Sequence, residues 1–372
     1  MGDALRKVGV EEELLLVDPD TGQSRAISPR VLHEHRVSPA AQRDEAHTDL
    51  DPELQQHMVE TRTEPDRDLR RIGDQVMAGR RTAFDAASSA GVSIAALGTA
   101  PVMPAGDPPL TDDPRYQRIG EQFGRLGHTA GTFGMHVHVD IDSDEEGVRV
   151  LDGLRPWLPV LVALAANSPY ADNADTGYAS WRQVVWTRWP SAGPAEPFGS
   201  VAEYRRVSTA LVGTGAALDD GGLYFDARLA ARYPTVEIRV ADVCTDVNDG
   251  LLVAALCRGL VDTAAHQQAP PYLRSDLLRA AYWRAARYGT DGDLVCPTTG
   301  DLAPAAEVIS TLVSAVEPAL ETAGDLELVV AGVERIARAG TGARRQRQAF
   351  ETGGDLAAVV RDAVERTGAA SG

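Results

Sequence analysis

Four short stretches of this chain set charged residues into apolar, strand-like patterns. In Val8-Gly9-Val10-Glu11-Glu12-Glu13-Leu14-Leu15-Leu16-Val17 an apolar run surrounds three glutamates. It ends at Asp18-Pro19-Asp20-Thr21-Gly22, a strong turn signal that reads as the start of a hairpin. Met135 to Ile141 and Thr235 to Val240 alternate with period two and read as strands. Further strands are expected over 57–63, 92–97 and 223–225. Helical spacing covers 67–90, 116–131, 147–167 (bent at Pro156 and Pro159), 200–212, 251–267, 275–288, 304–323, 326–338 and 355–366. A Pro/Gly-rich loop spans 98–114, a long aromatic-rich loop 168–197 and a basic stretch 344–347. Strands and helices do not alternate as βαβ units, and no repeat or linker divides the chain. The pattern predicts one α+β domain over residues 1–372 with a mostly antiparallel sheet.

Residues i and i+2 of a strand share a face. Glu11 and Glu13 therefore point the same way, as do His136, His138 and Asp140, and Glu237 and Arg239. The opposite face of each later strand is apolar. Glu60 follows Glu53 by seven residues, in a segment that also holds Met58 and Val59. A solvated edge would explain a lone E-x-E, solvent-facing imidazoles a lone H-x-H, and a cross-strand ion pair a lone E-x-R. Four such segments in one chain point instead to carboxylates and imidazole gathered around cations. Mostly oxygen donors suit magnesium or manganese, whereas a dedicated zinc site would show more His or Cys. Magnesium held by few protein ligands usually accompanies a phosphorylated substrate, which suggests ATP. Neither G-x-x-x-x-G-K-[ST] nor a strand–G-x-G-x-x-G–helix arrangement occurs, so nucleotide would have to bind on a metal-lined sheet.

Composition narrows the partners. The 372 residues carry a net charge of −18, which disfavours nucleic acid. The three cysteines, Cys244, Cys257 and Cys296, form no CxxC pair, and no apolar run reaches transmembrane length. With no signal-like segment in 1–10, a reduced, cytoplasmic chain with no membrane partner is expected.

The segments GVEEELLLVDP, RYQR (115–118), GMHVHVD, NSPYADNADTGYASWR, TVEIRVAD, ARYG (286–289) and GGDL (353–356) together resemble the bacterial carboxylate–amine ligases, also called glutamate–cysteine ligase type 2 proteins. More distantly, GMHVH and the E-x-R strand resemble the glutamine synthetase superfamily. The resemblance implies a glutamine-synthetase-like catalytic fold, a curved antiparallel sheet forming a funnel with helices outside. It implies ATP and two or three magnesium or manganese ions. By the same resemblance Glu13, Glu53 and Glu60 would form one metal subsite, and Glu11, His136 and Glu237 a second that bridges the ATP phosphates. His138 would lie near the nucleotide, Arg239 would face the transferring phosphoryl group, and Arg182 would bind phosphate or substrate carboxylate. Gln56 and Asp140 depart from the family pattern, where some relatives carry an acid and a small residue respectively. The implied reaction joins glutamate or a similar carboxylate to cysteine or another amine through an acyl phosphate, in a possible homodimer. Two other classes compete: a metal-dependent hydrolase using His136 and His138, and a non-catalytic nucleotide-binding protein.

Overall fold

A computed structural model describes residues 5–38, 49–129, 131–267 and 270–369. One sheet organises these parts. Its strands are β1 (Val8–Val17), β2 (Leu50–Pro52), β3 (Met58–Arg62), β4 (Ser93–Ala95), β5 (Gly134–Asp140), β8 (Ala227–Leu229) and β9 (Thr235–Asp242); a separate two-stranded hairpin is formed by β6 (Tyr170–Ala171) and β7 (Ala174–Asp175). The sheet runs β2-β3-β1-β5-β9-β8, with β4 also on β1, and every pairing is antiparallel. The α+β reading holds.

Alternation decides which face is which. Val8 and Val10 on β1, Met135, Val137 and Val139 on β5, and Val236, Ile238 and Val240 on β9 are all buried on the back. There they join Ile72 and Val76 of the helix Leu69–Ser89, and Leu252 to Leu256 of the helix Val247–His266, in one apolar cluster. Burial of this kind contributes on the order of 1.5–3 kcal/mol per large aliphatic side chain. The front of the sheet keeps Glu11, Glu13, His136, His138, Glu237 and Arg239. Between β5 and β9 the register shifts at Met135/Val137, a bulge beside His136.

Several elements differ from the sequence reading. The residues expected as a strand, 223–225, are irregular chain between a turn of 3-10 helix at Asp220–Gly222 and β8. The turn after β1 forms, but only one bridge, Val17 to Ser24, follows it, because β1 pairs with β3, β4 and β5. The helix over 116–131 is two pieces, Pro114–Phe123 and Arg125–Thr129, broken at Gly124, whose φ of 55° is left-handed. Likewise 147–167 splits into Asp144–Leu154 and Leu158–Leu164 around Pro156. The helix Ser28–Val37, entered through Pro29, was not expected. The 168–197 segment contains the β6–β7 hairpin and a helix, Trp181–Trp186, capped by Ser180. The basic stretch 344–347 lies inside the helix Gly342–Gly353, where Arg345 pairs with Asp249 and Arg347 with Asp175. No helix among the described residues is long and apolar enough to cross a membrane.

Candidate active site

Strand register alone brings the charged residues together. Glu11 stands opposite His136 on one side and Arg62 on the other; Glu13 is opposite Glu60, and His138 opposite Glu237. They line a cavity of about 710 Å³ on the front of the sheet, with Glu53, Arg115, Arg228 and Arg239 also in its wall.

Donor atoms of Glu11, His136 and Glu237 lie within 4.8 Å of one another. His136 Nδ1 is 3.2 Å from Glu11 Oε2 and 4.0 Å from Glu237 Oε1. Its Nε2 is buried without a hydrogen bond, 3.9 Å from Glu13 Oε1. Burial and the Arg239 cation push His136 down to about 4, so the imidazole is neutral near pH 7. Burial opposes the charge on Glu11, but hydrogen bonding to His136 and His138 outweighs it and holds the carboxyl below the usual range. Glu237 is also held low: burial opposes its charge, and the Arg239 and Arg228 guanidiniums outweigh that. Arg228 grips it in fork fashion, Nε to Oε2 at 2.7 Å and Nη2 to Oε1 at 3.2 Å, and Arg239 Nη1 donates to Oε1.

Glu13, Glu53 and Glu60 form the second group, again with donor atoms within 4.8 Å. Among the described residues no arginine or lysine forms an ion pair with any of the three. Glu13 accepts the backbone N–H of Gly134 at 2.5 Å. Burial, and then the neighbouring Glu53, raise its carboxyl to about 7. Burial raises Glu53 as well. Glu60 is pushed well up by burial and by Glu11, Glu53 and Glu13. Three carboxyls, one buried and two half-buried, that repel one another fit a hard divalent cation, which would remove the repulsion and satisfy their oxygens. The first group, two carboxylates and a neutral imidazole with a spare buried nitrogen, has a donor set that fits a second.

The remaining expected residues divide. Arg239 faces the cavity, its guanidinium carbon 5.2 Å from the Trp186 ring centroid. His138 lines it too, with Nδ1 3.0 Å from Thr235 Oγ1 and its ring edge-on to Tyr233 at 6.3 Å. Arg182 does not reach the cavity. It is wholly buried beside β9, packed over Gly134, donating to the carbonyls of Arg239 at 3.0 Å and Val240 at 3.3 Å, its guanidinium carbon 5.1 Å from the Trp186 ring centroid. Its two Nη atoms hold the backbone at Arg239 and Val240, while its Nε is buried without a partner. The segment around it is tied down by Asp242 at the end of β9, whose carboxylate accepts Ser168 Oγ, Ser180 Oγ and the Asn167 N–H at 2.7–2.8 Å.

Sequence reasoning missed Arg228 because it put the strand four residues too early. With β8 in place, the alternation of Ala227-Arg228-Leu229 carries Arg228 to Glu237 across the ladder. Arg115, bonded through Nη2 to Asp219 Oδ1 at 3.0 Å, sits in the RYQR segment, which had been noted as a motif but given no role.

The glutamate–cysteine ligase family 2 model matches residues 7–365. A relative from Nocardioides sp., named "Putative glutamate–cysteine ligase 2-1", is 52% identical over 370 residues, covering 98% of this chain and 96% of its own. One from Streptomyces coelicolor, "Putative glutamate–cysteine ligase 2", is 47% identical over 371 residues, covering 98% and 100%. Among solved structures, the glutamate–cysteine ligase of Francisella tularensis in complex with AMP superposes with a TM-score of 0.71 at 14% identity, over 98% of this chain and 88% of that one. The bifunctional glutathione synthetase of Pasteurella multocida gives 0.68 at 16% identity, over 98% of this chain and 52% of that one, about half its length. At such identities the likeness is one of fold, and it is the glutamine-synthetase-like fold expected from the sequence. Matched by the family model over nearly its whole length, this chain belongs to glutamate–cysteine ligase family 2.

Proposed function

We propose that the chain is an ATP-dependent carboxylate–amine ligase that uses magnesium or manganese, with glutamate as the carboxylate and cysteine or another amine as acceptor. The observation that carries this reading is the pair of adjoining donor groups, Glu11/His136/Glu237 and Glu13/Glu53/Glu60, on one face of a sheet. The name of the family and of the relatives supplies the reaction class.

A carboxylate resists attack by an amine because its leaving group is poor. In the proposed reaction the substrate carboxylate oxygen takes the γ-phosphoryl group of ATP, and the bond from that phosphorus to the bridging oxygen of ADP breaks. The amine nitrogen then forms a bond to the acyl carbon, phosphate leaves with its oxygen, and the nitrogen gives up a proton. Amide, ADP and phosphate result. Cations held by the two donor groups would neutralise phosphate oxygens and align the carboxylate. Arg239 would add fixed positive charge toward the transferring phosphoryl group, and Glu237 and the Trp186 ring fix its orientation. Arg182 acts through Arg239 as a positioning residue, by bonding the carbonyl of Arg239 itself. His138 lies on the wall that nucleotide would meet. Trp186, Trp189 and Tyr224 form an aromatic side to the cavity, with Trp189 and Tyr224 stacked at 4.5 Å, which limits water at the reacting centre.

The test is metal-stripped protein given back magnesium, manganese or zinc, with and without ATP, glutamate and an amine panel. ADP release that needs magnesium or manganese and glutamate, and that rises with an amine, is expected. Turnover restored by zinc without ATP would replace this reading with a hydrolase. Tight ATP binding without turnover would leave a nucleotide-binding protein.

A further inference from the structure

Six side chains make up the two donor groups, and five of them stand on strands. Glu53 does not: it follows β2 and lies in irregular chain before β3. No strand register of its own fixes its place, so the contacts that hold its loop decide whether it reaches Glu13 and Glu60. Thr111 Oγ1 donates to the carbonyl of Glu53, and the Thr111 N–H to that of Leu54 at 2.9 Å. The carbonyl of Thr111 in turn accepts the N–H of Asp113 at 2.8 Å and Gln117 Nε2 at 3.0 Å, which roots it in the helix Pro114–Phe123. From the same helix, Tyr116 Oη donates to the carbonyl of Pro52 at 3.3 Å. Glu53 is therefore carried by the helix of the RYQR segment.

The other donor group is held from the other wall. Arg228, which grips Glu237, also donates through Nη1 to the carbonyls of Gly221 at 2.8 Å and Leu223 at 3.0 Å. Those residues belong to a short strap, 219–223, built on the 3-10 turn. Asp219 starts the strap, its Oδ1 accepting the Gly222 N–H at 2.8 Å. The same carboxylate takes Arg115 of the helix in a fork, Nε to Oδ2 at 3.1 Å and Nη2 to Oδ1 at 3.0 Å. Gly221 leaves room for this: a Cβ there would stand 3.2 Å from Asp219 Oδ1 and 3.4 Å from Arg115 Nη2. A continuous run of bonds thus leads from Glu237 through Arg228, the strap, the Arg115–Asp219 pair and the helix to Glu53. The Arg115 and Asp219 side chains are 36% and 46% exposed, whereas Arg228 and Glu237 are 11% and 4% exposed. An exposed pair adds little to stability and can part without unfolding the protein.

We propose that Asp219 is a positioning residue whose pairing with Arg115 latches the two walls of the cavity together, so that the Glu11/His136/Glu237 and Glu13/Glu53/Glu60 groups take up divalent cations as one unit. The inference rests on the reading that these groups hold cations, and not on which amide is made. With the latch closed, Glu53 is held in reach of Glu13 and Glu60, and the strap backs Arg228 against Glu237. With it open, the Glu53 loop loses its tie to the far wall. A cation at one group fixes the ligands there and favours the closed latch, and the closed latch presents the other group ready made, so the two are coupled.

The test titrates metal-free protein with manganese by calorimetry, without nucleotide or substrate, in wild type, Asp219→Asn, Arg115→Gln and the double variant. Asp219→Asn keeps an oxygen for the Gly222 N–H but loses the charge that holds Arg115. It should weaken manganese binding by about tenfold, as for residues that orient metal ligands, and flatten the cooperativity between the ions. Arg115→Gln should lose at least as much, because the Arg115 charge also favours ionised Glu53. The double variant should lose no more than Arg115→Gln alone. Losses that add, or wild-type binding in Asp219→Asn, overturn the latch. The metal-free melting temperature of Asp219→Asn should stay within about 3 °C of wild type. A larger fall makes the pair structural and overturns the proposal. Hydrogen exchange of metal-free protein reads the link without any cation: Asp219→Asn should speed exchange in 219–223 and 53–56 together, and faster exchange confined to 219–223 overturns the latch. ADP release separates the two ideas. Wild type that binds manganese cooperatively but releases no ADP with any amine ends the ligase reading and leaves the latch. Magnesium-dependent ADP release, with Asp219→Asn like wild type in titration and exchange, sinks the latch and leaves the ligase.

Discussion

Glu12 and Glu13 are neighbours in sequence and live in opposite electrostatic worlds. Glu12 points to the back of the sheet, where Arg80 meets it with two bonds, Nε to Oε2 at 2.8 Å and Nη2 to Oε1 at 2.7 Å. Arg80 is wholly buried and also donates to the carbonyls of Cys244 and Thr245. Every charge there has its partner, and the pair pins β1 to the helix Leu69–Ser89 and to the chain after β9. Glu13 points forward, toward two other carboxylates and, among the described residues, no ion-paired arginine or lysine. A fold that equips one glutamate with a buried arginine could have equipped the next. The contrast teaches that the Glu13/Glu53/Glu60 corner of the front face gathers like charges with no ion-paired arginine or lysine among the described residues, which suits a cation from outside, while the back pair is complete.

The largest expected effect breaks the back pair. Arg80→Met leaves Glu12 buried and unpaired and strips two carbonyls of their donor. It should cost about 3–5 kcal/mol of stability in urea unfolding. A loss under about 1 kcal/mol would mean that the back pair is no more structural than the front cluster. Glu13→Gln should do the reverse. Removing one of three repelling carboxylates should raise metal-free stability at pH 8 by on the order of 1–3 kcal/mol, while ADP release falls to background. Destabilisation in metal-free buffer would show that Glu13 carries structural weight of its own.

The smaller effect is in pH. The carboxyl of Glu13 is raised from an unfolded value near 4.5 to about 7 in the fold. Below 4.5 it is protonated in both states and costs nothing. As pH rises through about 7 the folded state loses that advantage. The stability gap between Glu13→Gln and the wild type should therefore widen from pH 4.5 to pH 7 and flatten above it. Taking the difference cancels most of the contribution of His57 and His136, whose lowered values act with the opposite sign over part of this range. A gap independent of pH would contradict the raised carboxyl.

Much of the front face was legible in the chain. Period-two alternation fixed the shared faces of Glu11 with Glu13, His136 with His138, and Glu237 with Arg239, because a strand leaves side chains no other choice. The convergence of those strands was not legible from periodicity, since pairing order is set by long-range contacts. The family resemblance supplied that grouping; in the structure the donor atoms of each group lie within 4.8 Å of one another. The bulge at Met135/Val137 and the place of β8 lay beyond local pattern, and with β8 went Arg228. Arg182 was legible as an arginine in a noted motif; its burial beside β9 depends on Trp186 and on carbonyls far away in sequence. Glu12 was passed over because its partner is 68 residues away.

The most direct test of that corner of the front face is a manganese titration of metal-free protein at pH 7.5, followed by calorimetry, with wild type beside Glu13→Gln. The account predicts saturable binding to the wild type that strengthens when ATP is present, a rise in melting temperature that follows occupancy, and loss of most of that rise in Glu13→Gln. Wild-type protein that binds no manganese with or without ATP, or a Glu13→Gln variant that binds it as the wild type does, would contradict the claim that these carboxylates are gathered to hold a cation.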